Sequence, residues 1–185
     1  PVELISYQPN QGAGEAFRRG LAKALEIASD SDAIVTLEAD GTSDLDLLPE
    51  MLRRLGAGAD AVIASCHAKG GRMEDNPLHR KRLGRAATTV LTRLFAMKGL
   101  TAISSFYRVY RPQALKRVRA RFGDLSREKT FSCVVEVLVR LGRLGARLEE
   151  VPMVLKGRER IGKSKMRILR NTLGYMRIIA RNVFV

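Results

Sequence analysis

An acidic pair stands at the end of a short apolar run. Ala33-Ile34-Val35-Thr36-Leu37 reads as a buried strand, and Glu38-Ala39-Asp40 follows at once, leading into Gly41-Thr42-Ser43-Asp44. Side chains alternate along an extended chain, so residues 38 and 40 are expected on one side. Two carboxylates that close repel unless a cation or a proton sits between them. In an open α/β sheet, ligands bind beyond the carboxyl ends of the strands. A divalent metal carrying a phosphate-bearing substrate suits two carboxylates there. The same residues also suit a plainer arrangement, two solvated acids opening a turn with Asp44 capping the next helix.

Opposite charge comes from Arg72, Arg80 and Arg160-Ile161-Gly162-Lys163-Ser164-Lys165. Arginine presents a planar fork that matches phosphate oxygens, and lysine adds a point charge. A departing diphosphate needs such cations, or a metal, to stabilise the charge it gains. Taken singly, each basic cluster also fits a solvated face. Glu136 stands among Val134, Val135, Val137 and Leu138, and a buried acid requires a partner. A nearby arginine or a substrate hydroxyl would serve, and so would an ion pair holding the helix to the basic loop.

The elements that must position these groups alternate. Residues 2–7 read as a strand, 10–14 as a turn, and 15–29 as a helix through Ala16, Leu21, Leu25 and Ala28. After the strand at 33–37, Asp44 or Asp46 caps a helix with Leu47, Leu48, Met51, Leu52 and Leu55 on one face, ended by Gly56-Ala57-Gly58. Residues 60–65 form a further buried strand. This order argues for a largely parallel sheet with right-handed crossovers. Beyond it come a loop at 66–76 and a helix over about 77–97, with Leu83, Ala87, Val90, Leu91 and Leu94 inward. A strand at 103–110, a short helix from Pro112, a buried helix at 131–144 and a strand at 147–155 follow. No internal repeat or linker interrupts them, so one domain is expected.

From Lys163 to the end runs a basic amphipathic helix. Met166, Leu169, Leu173, Met176, Ile179 and Val183 make its stripe, and its charges are all positive. Such a helix can lie in a membrane interface, drawn to anionic lipid by about 1 kcal/mol per cation. Alternatively its apolar stripe covers the sheet. A net charge of +14 favours a polyanionic partner of some kind. Nucleic acid is disfavoured, because the aromatic residues do not interleave with the basic ones and no helix-turn-helix or zinc spacing occurs. Cys66 and Cys133, far apart in apolar segments, read as small core residues rather than a disulfide or metal site. No uninterrupted apolar run is long enough to predict a membrane-spanning helix. A chain that opens on Pro1 rather than Met reads as processed, trimmed or taken from a longer protein.

In this order the motifs resemble the inverting family 2 glycosyltransferases, in particular the dolichol-phosphate mannose synthase branch. Asn10-Gln11-Gly12-Ala13-Gly14-Glu15-Ala16 is similar to the family's Asn-x-Gly-x-Gly-x-Ala segment, and Glu38-Ala39-Asp40 stands where it has Asp-x-Asp. Lys69-Gly70-Gly71-Arg72 and His79-Arg80-Lys81 resemble its acceptor-loop stretch, and residues 104–111 its Ser-Gly-Phe-Arg-x-Tyr-Arg strand. Glu136, Glu150-Val151-Pro152 and residues 160–166 look like its Glu-bearing helix, Glu-Val-Pro strand and Arg-x-Gly-x-Ser-Lys signature. Each match is weak alone; together, in order, they are specific. Glu38 departs from the first Asp, Thr101 from an Asp, and Ser105 from the Gly of the strand motif.

The resemblance implies a GT-A (Rossmann-like) fold, a mostly parallel sheet flanked by helices, lacking its first strand and helix. The GT-A domain would span 1–162, with the amphipathic helix at 163–185. It implies inverting transfer of a sugar from a GDP- or UDP-sugar to a polyprenyl phosphate, with Mg²⁺ or Mn²⁺, peripherally at the cytoplasmic face of a membrane. Glu38, Asp40 and Thr42 would handle the metal, and Arg72, Arg80 and Arg160 would act with Asp40 on the phosphates. Ser104, Glu136, Ser164 and Lys165 would bind substrate. Another acceptor, or a non-catalytic basic membrane- or nucleic-acid-binding module, is the alternative.

Overall fold

Short apolar runs of small and β-branched residues become strands here, and longer runs with a three-to-four spacing become helices. The computed structural model describes residues 2–73, 78–156 and 168–183. The chain passes through α1 (Ala13–Ile27), β1 (Ile34–Thr36), a 3₁₀ turn at Leu45–Leu47, α2 (Leu48–Gly56) and β2 (Ala61–Ser65). It continues through β3 (Arg72–Met73), α3 (Leu78–Leu94), β4 (Arg108–Tyr110), α4 (Pro112–Phe122), α5 (Cys133–Arg143), β5 (Leu148–Pro152), β6 (Val154–Leu155) and α6 (Ile168–Val183). Asp44 caps the 3₁₀ turn, its carboxylate accepting from the Asp46 N–H at 3.3 Å.

The main sheet has the order β1-β4-β2-β5. β4 is antiparallel to both β1 and β2, whereas β2 and β5 are parallel. Hence β1, β2 and β5 point one way and only β4 is reversed, so the expected predominance of one direction holds in a mixed sheet. β3 and β6 make a separate parallel pair. β2 is buried throughout, and its alternate residues serve two apolar layers. Ala61 and Ile63 pack with α1, α4 and α5, and Val62 and Ala64 with Met51 and Leu55 of α2. A sheet covered on both faces reads as continuously apolar for this reason.

Three expectations change. Residues 2–7 form no strand: alternation alone brings no partner, and Val2 and Leu4 are exposed. That segment instead lies along α1, with Glu3 paired to Lys23 at 3.0 Å and Tyr7 beneath the Arg19 guanidinium. In α3 the inward face is Thr88, Leu91 and Phe95's side of the helix, while Val90 and Leu94 are exposed. In α6 the buried residues are Asn171, Gly174, Ile178 and Asn182, and the apolar Leu173, Met176 and Val183 face outward. Of the stripe read from the sequence, Ile179 packs against the core while Leu173, Met176 and Val183 do not, and the side chains of Met166 and Leu169 lie outside the described residues. Among the described residues no helix is long and apolar enough to cross a membrane.

Candidate active site

Because β4 runs against its neighbours, it begins at the edge where β1, β2 and β5 end. The segments leaving β1 (37–42), β2 (66–71) and β5 (153–156) therefore meet the one entering β4 (101–107). This is the carboxyl edge, where open α/β sheets bind ligands.

β1 stops at Thr36, so Asp40 is set by a turn rather than by alternation along the strand. Asp40 Oδ1 accepts from the Thr42 N–H at 3.1 Å and from the Thr42 hydroxyl at 2.6 Å. Thr42 is fully buried, and its carbonyl accepts from the Lys156 N–H at 3.3 Å. The acidic turn is thus tied to the residue that follows β6. Arg72, exposed on β3, pairs with Val154 of β6, and its N–H donates to the Met153 carbonyl at 3.1 Å. Asp40 and Arg72 consequently flank the same stretch of chain, residues 153–156. A Cβ at Gly71 would stand 2.5 Å from the Ser65 carbonyl oxygen, so only glycine lets this loop fold back on β2.

Ser104 is exposed on the segment entering β4. That segment is gripped by Glu150: Oε1 accepts from the Thr101 and Ala102 N–H groups, each at 2.7 Å, and Oε2 from the Thr101 hydroxyl at 2.7 Å. On its other side, fully buried Arg108 donates from Nη2 to the Ile103 carbonyl at 2.7 Å.

Glu136 is placed differently from the substrate contact expected of it. Its side chain is fully buried. Oε2 accepts from the Ser126 hydroxyl and the Arg127 and Glu128 N–H groups, and Oε1 from Arg140 at 2.8 Å. Burial draws the Arg140 guanidinium below its ordinary value, and Glu136 opposes that shift. With both oxygens engaged by protein groups, Glu136 pairs with Arg140 one turn on in the same helix. It holds the turn at 126–128 through a hydroxyl and two backbone N–H groups rather than through an ion pair to the basic loop. Arg80 falls in the first turn of α3, its side chain outside the described residues, and Arg160, Ser164 and Lys165 lie outside them altogether. Sequence reasoning passed over Glu128, which is equally buried and binds Arg177 and Arg181 of α6. An acid in a polar loop carries no signal of burial; only its distant partners reveal it.

Among the described residues, no three His, Cys, Asp or Glu side chains cluster as a metal site. Mg²⁺ and ions like it need no such cluster. They commonly take one or two carboxylates and complete their shell with substrate phosphates and water. Glu38 and the Asp40 turn, hard oxygen donors at the ligand-binding edge, fit that chemistry.

The sequence profile described as Glycosyl transferase family 2 matches residues 1–119. This chain belongs to glycosyl transferase family 2. It is 32% identical over 165 residues to an undecaprenyl-phosphate mannosyltransferase of Micrococcus luteus, covering 89% of the chain and 65% of that protein. It is 30% identical to a polyprenol monophosphomannose synthase of Mycolicibacterium smegmatis, covering 89% of the chain and 60% of the relative. The chain therefore spans about three fifths of the length of these family members. Among solved structures, glucosyl-3-phosphoglycerate synthase from Mycobacterium tuberculosis, in complex with Mn²⁺, UDP and phosphoglyceric acid, superposes with a TM-score of 0.58 at 19% identity. That match covers 95% of this chain and 54% of the other, and it establishes the shared GT-A fold.

Proposed function

We propose that the protein carrying this chain transfers a sugar from a nucleotide-sugar donor to a polyprenyl phosphate, with inversion and with a divalent metal. The observation that supports this most is the convergence of Asp40 and Arg72 on residues 153–156 at the carboxyl edge of the sheet. The names of the Micrococcus and Mycolicibacterium relatives supply the acceptor class.

In this reading Glu38 and Asp40 would hold Mg²⁺ or Mn²⁺, which when bound offsets negative charge on the departing diphosphate. Thr42, expected beside them at the metal, is fully buried with its hydroxyl donated to Asp40, and in this reading it orients that carboxylate instead. Arg72 adds a guanidinium for a phosphate oxygen, joined by Arg80, Arg160 and Lys165. Ser104 and Ser164 offer hydroxyls to the sugar or its phosphates. A phosphate acceptor is already ionised at neutral pH, so no side chain is required as general base, and attack from the face opposite the leaving diphosphate inverts the anomeric centre. The exposed Leu173 and Met176 beside the cations of α6 favour a lipid acceptor and a peripheral position on the anionic cytoplasmic face of a membrane.

The test assays the whole protein with GDP- and UDP-sugars against undecaprenyl phosphate and 3-phosphoglycerate, with and without chelator. Transfer to the lipid that needs metal, and that falls about 10²- to 10³-fold in Asp40→Asn, is expected from losing charge stabilisation at the diphosphate. Parental rates in both Asp40→Asn and Arg72→Ala would exclude the site.

A further inference from the structure

We infer that Thr101 is a positioning residue for this site: its hydroxyl is the middle link of a chain from Ser65 to Glu150 that fixes three of the edge segments against one another. The inference rests on the transfer reading above for its kinetic consequence, and on geometry alone for the linkage.

The direction of every hydrogen in the chain follows from donor chemistry. An ionised carboxylate only accepts, so the Thr101 hydroxyl donates to Glu150 Oε2 at 2.7 Å. Its one hydrogen is then committed, so Ser65 Oγ must donate to Thr101 Oγ1 at 3.0 Å. Ser65 Oγ in turn accepts from the His67 and Ala68 N–H groups at 3.2 and 3.1 Å. Each link meets a different segment. His67 and Ala68 open the loop that ends at Arg72. Thr101 opens the segment that presents Ser104, and Arg108 pins the Ile103 carbonyl just before that serine. Glu150 lies on β5, which continues through Met153 to β6 and Lys156, and the Met153 N–H also donates to the Ser65 carbonyl at 2.9 Å.

Thr101 is itself exposed, so its hydroxyl contributes little to global stability. Its effect is on register: without it, Ser65 loses its acceptor, and this side-chain link between the loops bearing Arg72 and Ser104 is broken. A hydroxyl is needed because it both donates and accepts; valine has the shape without the link, and serine has the link with less shape.

The experiment compares Thr101→Val and Thr101→Ser in the whole protein by kinetics, thermal unfolding and amide hydrogen exchange. Thr101→Val should lower kcat by about 10- to 100-fold, the scale on which small misplacements act. Its Tm should stay within about 2 °C of the parent, and exchange should quicken at His67, Ala68, Thr101 and Ala102. Thr101→Ser should restore kcat to within about twofold, as a retained donor and acceptor requires. Parental kcat in Thr101→Val, or equal losses in both variants, overturns the inference. If the unaltered protein moves no sugar to lipid phosphate, the functional reading fails, and unchanged exchange in Thr101→Val is then the result that overturns the linkage.

Discussion

Replacing Glu128 with Gln tests what holds α6 on the domain. The Glu128 side chain is fully buried, with Arg177 donating from Nε and Nη2 at 2.9 and 2.8 Å and Arg181 from Nη1 at 3.1 Å. Ser132 adds its hydroxyl at 3.3 Å. Gly174 of α6 seats directly over this cluster: a Cβ there would stand 2.1 Å from Ser132 Oγ. Breaking a fully buried ion pair costs about 3–5 kcal/mol, because one charge is stranded. Here the arginines are 44% and 37% exposed, so once freed they recover water and the loss is smaller. Roughly 2 kcal/mol remains, which is about 4–8 °C in Tm for a domain of this size. Thermal unfolding of Glu128→Gln, Arg177→Gln and the double variant measures it, with a coupling of about 1 kcal/mol between the two sites. A Tm unchanged in Glu128→Gln, or strictly additive effects, would refute the reasoning.

Two titrations give further checks. Burial pushes the Cys133 thiol up to about 12, so the native protein should leave it unalkylated at pH 8 until it unfolds. Its folded value lies above the ordinary 9, so its contribution to stability is intact below pH 9 and fades as pH rises towards 12; rapid native labelling of Cys133, read by mass spectrometry, would contradict this. Glu50 has the opposite sign: Arg53 and Arg54 hold its carboxyl down to about 2 from 4.5. Its contribution is present above pH 4.5 and lost as pH falls towards 2, so the Tm difference between parent and Glu50→Gln should shrink across that window. A difference that persists undiminished at the acid end is the failing result.

What the sequence disclosed depended on whether the deciding contact was local. The strands at 34–36 and 61–65 were legible because runs of Ile, Val and Ala bounded by turn residues have few other uses. The Asp44 cap was legible only in part: it closes on Asp46 within two residues but starts the 3₁₀ turn, α2 itself opening on Leu47 without a side-chain cap. The alternation expected to align Glu38 with Asp40 gives way to the Asp40–Thr42 turn. Residues 2–7 misled because a strand needs a neighbour as well as a pattern. The packing face of α6 was hidden because it is built from Asn171, Gly174 and Asn182, with Asn182 satisfied by the Ile178 carbonyl, rather than from leucines. Glu136 left two readings open, and the Ser126, Arg127 and Glu128 donors that settle its role come from a different loop. Thr101 and Glu150 lie 49 positions apart, beyond the reach of any periodicity.

The strand order also shapes how the chain must reach its final form. No two neighbours in the main sheet are consecutive strands: Ile34 meets Tyr110, Ala61 meets the same tyrosine, and Ala61 also meets Leu148. Assembly cannot start from a hairpin and zip outward; each pairing must first close a long stretch of chain, at an entropic cost that precedes any reward. Helices such as α2 and α5 can form early from local contacts, but β2, apolar on both faces, must wait for partners made much later. Until those partners are made, an apolar strand of this kind is open to pairing with other chains.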